Sequence, residues 1–382
     1  MQNQIPNNWQ KVKLGELIYI NSKQIGANYP HDEIEYVDIS SVGTGILDRT
    51  THYKLSKAPG RAKRLLSDGD TIISTVRPNR RSFLFIKQPK ENLVVSTGFA
   101  VLSPKLNITD PKFLHYLVTI KTFTEYLSSN VKGSAYPAIS PDVIENAEVN
   151  VPNYPEQKRI SSILSSFDDK IELNNKINKT LEETASAIFK EWFGKKTNNE
   201  ELIVKNLIKG IAFVKTGNRP GKLDKKKENK YAIPVYGAKE IIGYTNKSLY
   251  DQPIIITGRV GTIGEVTIIN ESSWPSDNAL ILIPKDYNYL YFIYFLAKRI
   301  NYLSLNRGSS QPLIAQSDIE NYPIDLPDEK KIKEFNIIVS KLFLLKNNKE
   351  KENQKLAAFR DLLLPKLMKG EIRVQRRTNN EQ

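Results

Sequence analysis

The sequence predicts an α+β protein: two similar mixed α/β domains separated by two long antiparallel coiled-coil helices, arranged with pseudo-twofold symmetry. Three observations predict it. A stretch from Gly133 to about Phe193 occurs again starting at Gly308, an offset of 175 (308 minus 133). The β-rich segment before each copy follows the same plan. Each copy then runs into a long segment whose apolar residues recur at alternating spacings of three and four.

The repeat keeps one register. Gly133-Ser134 returns as Gly308-Ser309, Pro137 and Ile139 as Pro312 and Ile314, Ile144-Glu145-Asn146 as Ile319-Glu320-Asn321, and Pro152 as Pro327. The same offset continues through Lys158/Lys333, Ile163/Ile338, Ser165/Ser340, Lys176/Lys351, Asn178/Asn353 and Leu181/Leu356. A period this long exceeds that of solenoid repeats and means a duplicated domain followed by a duplicated helix.

In the first domain, strand-like runs at Glu35–Ser40, Thr71–Val76, Phe83–Ile86 and Val94–Leu102 are separated by Gly, Pro and Asn, and a helical run covers Pro111–Leu127. In the second, Pro253–Arg259 resembles Thr71–Arg77, Ser276–Lys285 resembles Ser96–Lys105, and Phe292–Leu296 resembles Phe113–Leu117. These offsets drift from 182 to 179, as loop insertions produce, and they set Arg77 opposite Arg259. The boundaries expected are 1–150 for the first domain, 151–196 for a central helical arm, 197–326 for the second domain and 327–382 for a C-terminal helical arm and tail.

Each arm follows a proline, Pro152 or Pro327, and opens with acidic residues, Glu156 or Asp328 and Glu329, which are helix-start signals. In the first arm Ile160, Leu164, Phe167, Ile171, Asn174, Asn178, Leu181, Ala185, Ile188 and Trp192 form a heptad seam. The second carries Phe335, Ile338, Leu342, Leu345, Leu356, Phe359, Leu363 and Leu367. A helix with one apolar stripe needs cover, and two such stripes most simply bury each other. Both arms have polar centres, Asn174, Asn175 and Asn178 in one and Lys346 to Lys355 in the other, which suit control of register. Antiparallel packing would hold the domains apart along helices of roughly 60 Å. The competing arrangement, each helix lying on its own domain, stays open.

Composition bounds the function. The chain has 382 residues, enough for two or three domains, with 40% hydrophobic and 26% charged content. Lys and Arg total 56 against 42 for Asp and Glu, a net charge of +14 that attracts polyanions, nucleic acid foremost. A basic surface without a partner, common where Lys, Ile and Asn abound, is the other reading. The absence of cysteine excludes disulfides, thiol catalysis, zinc knuckles and iron–sulfur sites, and is compatible with a cytoplasmic location. The first residues show no signal-peptide pattern. The most apolar stretch, Tyr287 to Ala297, is far short of the roughly 20 residues a membrane span needs and reads as a buried helix.

Catalytic signatures are missing. Gly217-Asn218-Arg219-Pro220-Gly221-Lys222-Leu223 has neither the spacing nor the hydroxyl of a phosphate-binding loop. Gly43-Thr44-Gly45 and Gly261-Thr262-Ile263-Gly264 are two-glycine turns, not dinucleotide fingerprints. No Asn-Pro-Pro-aromatic tetrad or nuclease carboxylate cluster stands out, and His31, His52 and His115 are scattered as surface or core residues. No catalytic residue, metal ligand or bound cofactor is therefore expected.

What remains is basic and amide-rich loops at corresponding places. The DNA-binding candidates of the first domain are Arg61, Lys63, Arg64, Arg77, Asn79, Arg80 and Arg81, with Lys132, Ser134 and Tyr136 just before the arm. Those of the second are Arg219, Lys222, Lys239 and Arg259, with Arg307, Ser309, Ser310 and Gln311 before its arm. Arg suits guanine, Asn and Gln suit adenine, and Lys and glycine amides suit phosphate. For any single Arg or Lys a solvated charge is the plainer reading. Because the loop sequences differ between domains, two different half-sites are expected.

With these residues in place, the chain resembles the DNA-specificity subunit of Type I restriction–modification systems. The resemblance rests on Trp9-x-x-Val12-x-Leu14-Gly15-Glu16-Leu17, Gly133-Ser134-x-x-Pro137-x-Ile139, Pro152-x-x-x-Glu156-Gln157-Lys158-Arg159-Ile160, Phe189-x-x-Trp192-Phe193 and Leu362-Leu363-Leu364-Pro365-Lys366-Leu367-Met368-x-Gly370-Glu371-Ile372. The second arm departs from it, reading Pro327-Asp328-Glu329-Lys330-Lys331-Ile332-Lys333. The resemblance implies two target recognition domains on double-stranded DNA, with paired helices that set the gap and carry two methyltransferase subunits. Motor-nuclease subunits would join the full complex. S-adenosylmethionine, ATP and Mg²⁺ would then belong to those partners. A specificity subunit of a combined methylase–nuclease enzyme, an RNA-binding or scaffold module and an unrecognised nuclease are the competing readings.

Overall fold

The structure is a computed structural model that describes residues 6, 8–131, 137–194 and 206–374. The chain divides into two compact units: a first made of Met1–Leu173 and Glu352–Gln382, and a second made of Asn174–Lys351.

The first unit runs β1 (Gln10–Lys13), α1 (Leu14–Leu17), β2 (Ile18–Ile20), β3 (Glu33–Val37), β4 (Thr51–Lys54), β5 (Ala62–Leu65), β6 (Thr71–Ser74), β7 (Phe83–Phe85), β8 (Leu93–Ser96), β9 (Phe99–Pro104), α2 (Pro111–Thr119), α3 (Lys121–Ser129), α4 (Pro141–Glu145) and β10 (Glu148–Val151). It then enters α5 (Tyr154–Phe193). One sheet has the order β2-β9-β6-β7, a second β4-β3-β8-β5, and β1 pairs with β10. All four residues of β6 are buried. Ile73, Ala100 and Leu102 feed a core with Phe113 and Leu114, whereas Ile72, Phe99 and Val101 feed a core with Val37 and Val95. Both faces of the sheet are covered, so its central strands read as unbroken apolar runs instead of alternating.

Two expected elements are divided. Val94–Leu102 is two strands in different sheets, β8 and β9, parted at Thr97-Gly98. A Cβ at Gly98 would lie 2.4 Å from Ile39 Cδ1, so the chain changes sheets through a gap that admits only glycine without repacking. Pro111–Leu127 is two helices because Ile120 is extended, with ψ of 148°. Such local breaks leave no mark in an apolar period.

The second unit runs β11 (Asn206–Leu207), α6 (Ile208–Ile211), β12 (Ala212–Thr216), β13 (Ile233–Tyr236), β14 (Ile241–Thr245), β15 (Ile254–Gly258), β16 (Val266–Ile269), β17 (Trp274–Pro275), β18 (Ala279–Pro284), α7 (Leu290–Lys298), α8 (Gln316–Glu320), β19 (Pro323–Ile324) and α9 (Glu329–Met368). Its main sheet, β12-β18-β15-β16, repeats the order of β2-β9-β6-β7. The three-stranded sheet β14-β13-β17 stands where the first unit has four strands.

Each unit holds its own pair of helical segments. In the first, Ile160 and Leu164 of α5 share a core with Leu363, Leu364, Leu367 and Met368 of α9. Asp168 meets Arg360 at 2.6 Å and Lys170 meets Glu352 at 4.0 Å, so the segments run antiparallel. In the second, Ala185, Phe189, Ile188 and Trp192 pack with Ile332, Phe335, Val339, Leu342 and Phe343. Glu182 meets Lys346 at 2.6 Å, again antiparallel. Phe167, Ile171 and Leu356 of the first unit and Leu181 of the second are half-buried. The expected seam of α9 is corrected at three places: Ile338, Leu345 and Phe359 are 40%, 52% and 57% exposed, and Ile332, Val339 and Phe343 are buried instead. From Phe335 the buried stripe advances by fours to Val339 and Phe343, so the step of three to Ile338 leads off the packed face.

Asn153 accepts from the backbone N–H of Glu156 at 3.0 Å and starts α5. α9 ends at Gly370, φ +71°, where the N–H of Glu371 bonds the carbonyl of Lys366 at 2.9 Å. No helix among the described residues is long and apolar enough to cross a membrane.

Candidate nucleic-acid interface

Candidate residues distant in sequence meet at one end of each main sheet. In the first unit, Thr75 follows β6 and its N–H bonds Gly98 O at 2.9 Å. Next to Gly98, the N–H of Thr97 bonds Arg61 O at 2.8 Å, and Arg64 Nη2 donates to Thr97 O at 3.4 Å. The cluster of Arg61, Lys63 and Arg64 therefore lies beside the loop of Arg77, Asn79, Arg80 and Arg81. That loop is joined to the segment before the arm, because Arg77 N–H bonds Pro137 O at 3.0 Å and Ile139 N–H bonds Thr75 O at 3.0 Å. Lys132, Ser134 and Tyr136 lie outside the described residues.

The second unit repeats this construction. Arg259 N–H bonds Asn278 O at 2.8 Å, Gly261 N–H bonds Pro312 O at 3.0 Å, and Ile314 N–H bonds Arg259 O at 3.0 Å. Gly217 N–H bonds Ala279 O at 3.0 Å, which brings the Arg219 loop to the same end. Lys222 is exposed further along that loop, where Asp224 pairs with Tyr244 of β14. Lys239 reaches Glu265 at 3.2 Å on the loop after β15. Arg307, Ser309, Ser310 and Gln311 occupy a loop closed by Asn306, whose Oδ1 accepts from the N–H groups of Gly308 and Leu313, each at 2.9 Å.

These bonds correct one equivalence. Thr71 pairs with Leu102 and Ile255 pairs with Leu282. Taking β9 and β18 as matched, the ladder sets Thr71 opposite Ile255, Thr75 opposite Arg259, and Arg77 opposite Gly261. Arg77 and Arg259 are thus two residues apart in the shared frame and not the same position. Both runs are apolar and β-branched, so identity of letters slides easily; a hydrogen-bonded register does not.

The candidates divide by what holds them. Arg81 donates to Thr119 O at 2.8 Å and lies over the Phe83 ring. Arg219 bonds Asp277 at 2.6 Å, and Arg307 bonds Asp318, the carboxylate that also accepts from the N–H of Ala315 at the start of α8. Arg64 is half-buried, and burial lowers its pKa. These side chains shape their loops. Arg259 is half-buried, with its Nε enclosed and without a hydrogen-bond partner among the described residues. Lys63, Arg77, Asn79, Arg80, Lys222, Ser309, Ser310 and Gln311 are exposed. Asn306, Asp277 and Asp318 were not singled out from the sequence; an acid that tethers an arginine from 11 or 58 residues away leaves no local signal.

Among the described residues, no group of three or more His, Asp or Glu side chains is placed to hold a metal. His115 lies edge-on to Phe83, Phe85 and Tyr116 in the first unit, and burial pushes its pKa down to about 4. His31 and His52 lie beside Glu91 and beside Glu33 and Glu35.

A family model described as Type I restriction modification DNA specificity domain matches residues 6–183 and 203–358. The chain is 25% identical to the Type I restriction enzyme HindI specificity subunit of Haemophilus influenzae, over 96% of this chain and 100% of that one. It is 29% identical to the Type I restriction enzyme MjaIX specificity subunit of Methanocaldococcus jannaschii, over 94% and 88%. The crystal structure of a Type-I restriction-modification system S subunit from M. genitalium shares the fold, with a TM-score of 0.58 at 17% identity and coverage of 96% and 97%. With matches over both of its units, the chain belongs to the Type I restriction–modification DNA specificity family.

Proposed function

We propose that this chain is a non-catalytic specificity subunit that reads a split, asymmetric site on double-stranded DNA. Residues 1–150 and 197–326 serve as two target recognition domains, each reading one half-site. Residues 151–196 and 327–382 supply two helical arms, packed antiparallel as a coiled coil with pseudo-twofold symmetry, that set the gap. The observation that carries this reading is the repeated sheet end: two loop clusters joined by the same backbone bonds, yet with different basic and amide side chains at their tips. A shared frame with divergent tips is what two different half-sites require.

The arms also serve as a platform for two methyltransferase subunits, to which motor-nuclease subunits add. Supporting this, α9 exposes Ile337, Leu344 and Leu345 in the second unit and Phe359 and Leu362 in the first, apolar surface suited to partner helices. S-adenosylmethionine, ATP and Mg²⁺ belong to those partners, and the complex works in the cytoplasm.

The test is selection of bound sequences from a random duplex library by the full chain with its partners. Two short conserved blocks around a fixed gap are expected, with log affinity falling linearly with log salt. Lengthening both arms by one heptad should change the gap and leave both blocks intact. A single block, or equal affinity for RNA, overturns the proposal.

A further inference from the structure

We propose that Arg77 reads a guanine in one half-site and that Gln311, from a different loop, reads an adenine at the corresponding place in the other. This rests on the DNA-reading function above and assigns the bases it implies.

Arg77 and Gly261 hold one position in the duplicated frame, each donating its N–H to the proline that begins the paired segment, Pro137 or Pro312, at 3.0 Å. Both are left-handed, with φ of 48° and 74°. Glycine takes this conformation without penalty, whereas an arginine there is strained by its Cβ. The second unit thus demonstrates that this turn needs no side chain. In the first unit the side chain is exposed and makes no hydrogen bond or ion pair among the described residues. Arg81, also left-handed at φ 57°, differs, because its guanidinium anchors the loop to Thr119 O. Among the described residues no side-chain hydrogen bond or ion pair offsets the strain at Arg77, and strain kept without a structural return marks a binding position.

In the second unit the place is filled from elsewhere. A Cβ at Gly261 would lie 3.5 Å from Gln311 Nε2, and Gln311 is an exposed residue. The Gln311 backbone is held closely: a Cβ at Gly308 would lie 1.8 Å from Gln311 O, so only glycine permits the approach. A guanidinium matches the two acceptors of guanine in the major groove, and a carboxamide matches the donor and acceptor of adenine. One location in the frame therefore carries a guanine reader in one unit and an adenine reader in the other.

The test compares wild type, Arg77→Gly and Gln311→Ala in the full chain with its partners, using library selection and thermal denaturation. Wild type should select G at one position of one block and A at one position of the other. Arg77→Gly should lose the G preference by about tenfold or more, leave the other block unchanged, and melt no earlier than wild type. Gln311→Ala should lose only the A preference. The inference is overturned if Arg77→Gly keeps its base preference, weakens all sequences equally, or melts earlier. A wild type that selects no split site overturns the underlying function instead.

Discussion

At the start of the long helix, the first unit builds a polar clip, and the second builds an aromatic box in the same frame. Glu156 is buried and accepts from Asn8 Nδ2 at 2.9 Å and Trp9 Nε1 at 3.4 Å. Gln157 is satisfied by the N–H of Asp110 and the carbonyls of Ile108 and Pro152. At the offset of 175 these positions are Lys331 and Ile332. Lys331 donates to Trp192 O at 2.8 Å and lies over the Phe193 ring, while Ile332 is buried among aromatic rings. This is the departure from the Glu-Gln form that the sequence displayed, and it is complete chemistry, not decay.

The exchange continues along the helices. Asp168, which accepts from Tyr116 and Arg360, corresponds to Phe343, and Arg360 corresponds to Ala185. Phe343 packs tilted against Tyr291 and edge-on to Tyr294, with ring centroids 4.8 and 5.5 Å apart, and Ala185 is fully buried. Both partners of the ion pair are replaced together. The physics explains why: removing one member strands the other, whereas replacing both by packed apolar groups is often neutral.

Three experiments bear on this contrast. The largest effect is expected in the box. Phe335 is fully buried and packs on Phe189, Trp192, Phe193 and Phe295. Phe335→Ala should destabilise the second unit by about 3–5 kcal/mol. Hydrogen exchange resolved by unit should show faster opening there; unchanged protection would mean that the rings are not a single core.

Acid should act on the first unit before the second. The buried His115 lies in the first unit. Burial holds His115 down at about 4, so the fold prefers its neutral form. That stability is whole above about pH 6.5 and drains as the pH falls towards 4, by about 3 kcal/mol. In the second unit burial raises Glu182, but hydrogen bonds from Lys298, Lys346 and Tyr294 outweigh it and hold the carboxyl at about 2. Its contribution persists until the pH falls below the ordinary carboxylate range. Protection factors, which divide out the intrinsic exchange rate at each pH, should therefore fall at pH 5 in the first unit alone, and His115→Phe should remove the difference.

The smallest effect concerns the ion pair. Asp168→Ala should cost about 1–3 kcal/mol, since Arg360 is only partly exposed and Tyr116 loses its acceptor. Combining Asp168→Phe with Arg360→Ala imports the chemistry of the second unit. Thermal denaturation should show the double variant less destabilised than the sum of its single changes; strict additivity would show that the two positions do not act as one.

The helices were legible because their rules are local. The proline starts, the acidic first turns and a three-four period are local signals, and α5 falls inside the arm expected at 151–196, while the repeat announced the duplicated frame. The loop candidates were legible as chemistry but not as geometry. Letters alone set Arg77 opposite Arg259, and they could not show that Arg219 and Arg307 are tethered by Asp277 and Asp318. By itself the sequence determined that one domain plan and one helix occur twice, since a rigid offset survives any arrangement in space. Only the tertiary structure decided which strand residues face each other and which side chains at a sheet end remain exposed. Those outcomes depend on hydrogen bonds and ion pairs between residues tens of positions apart, which no local period records.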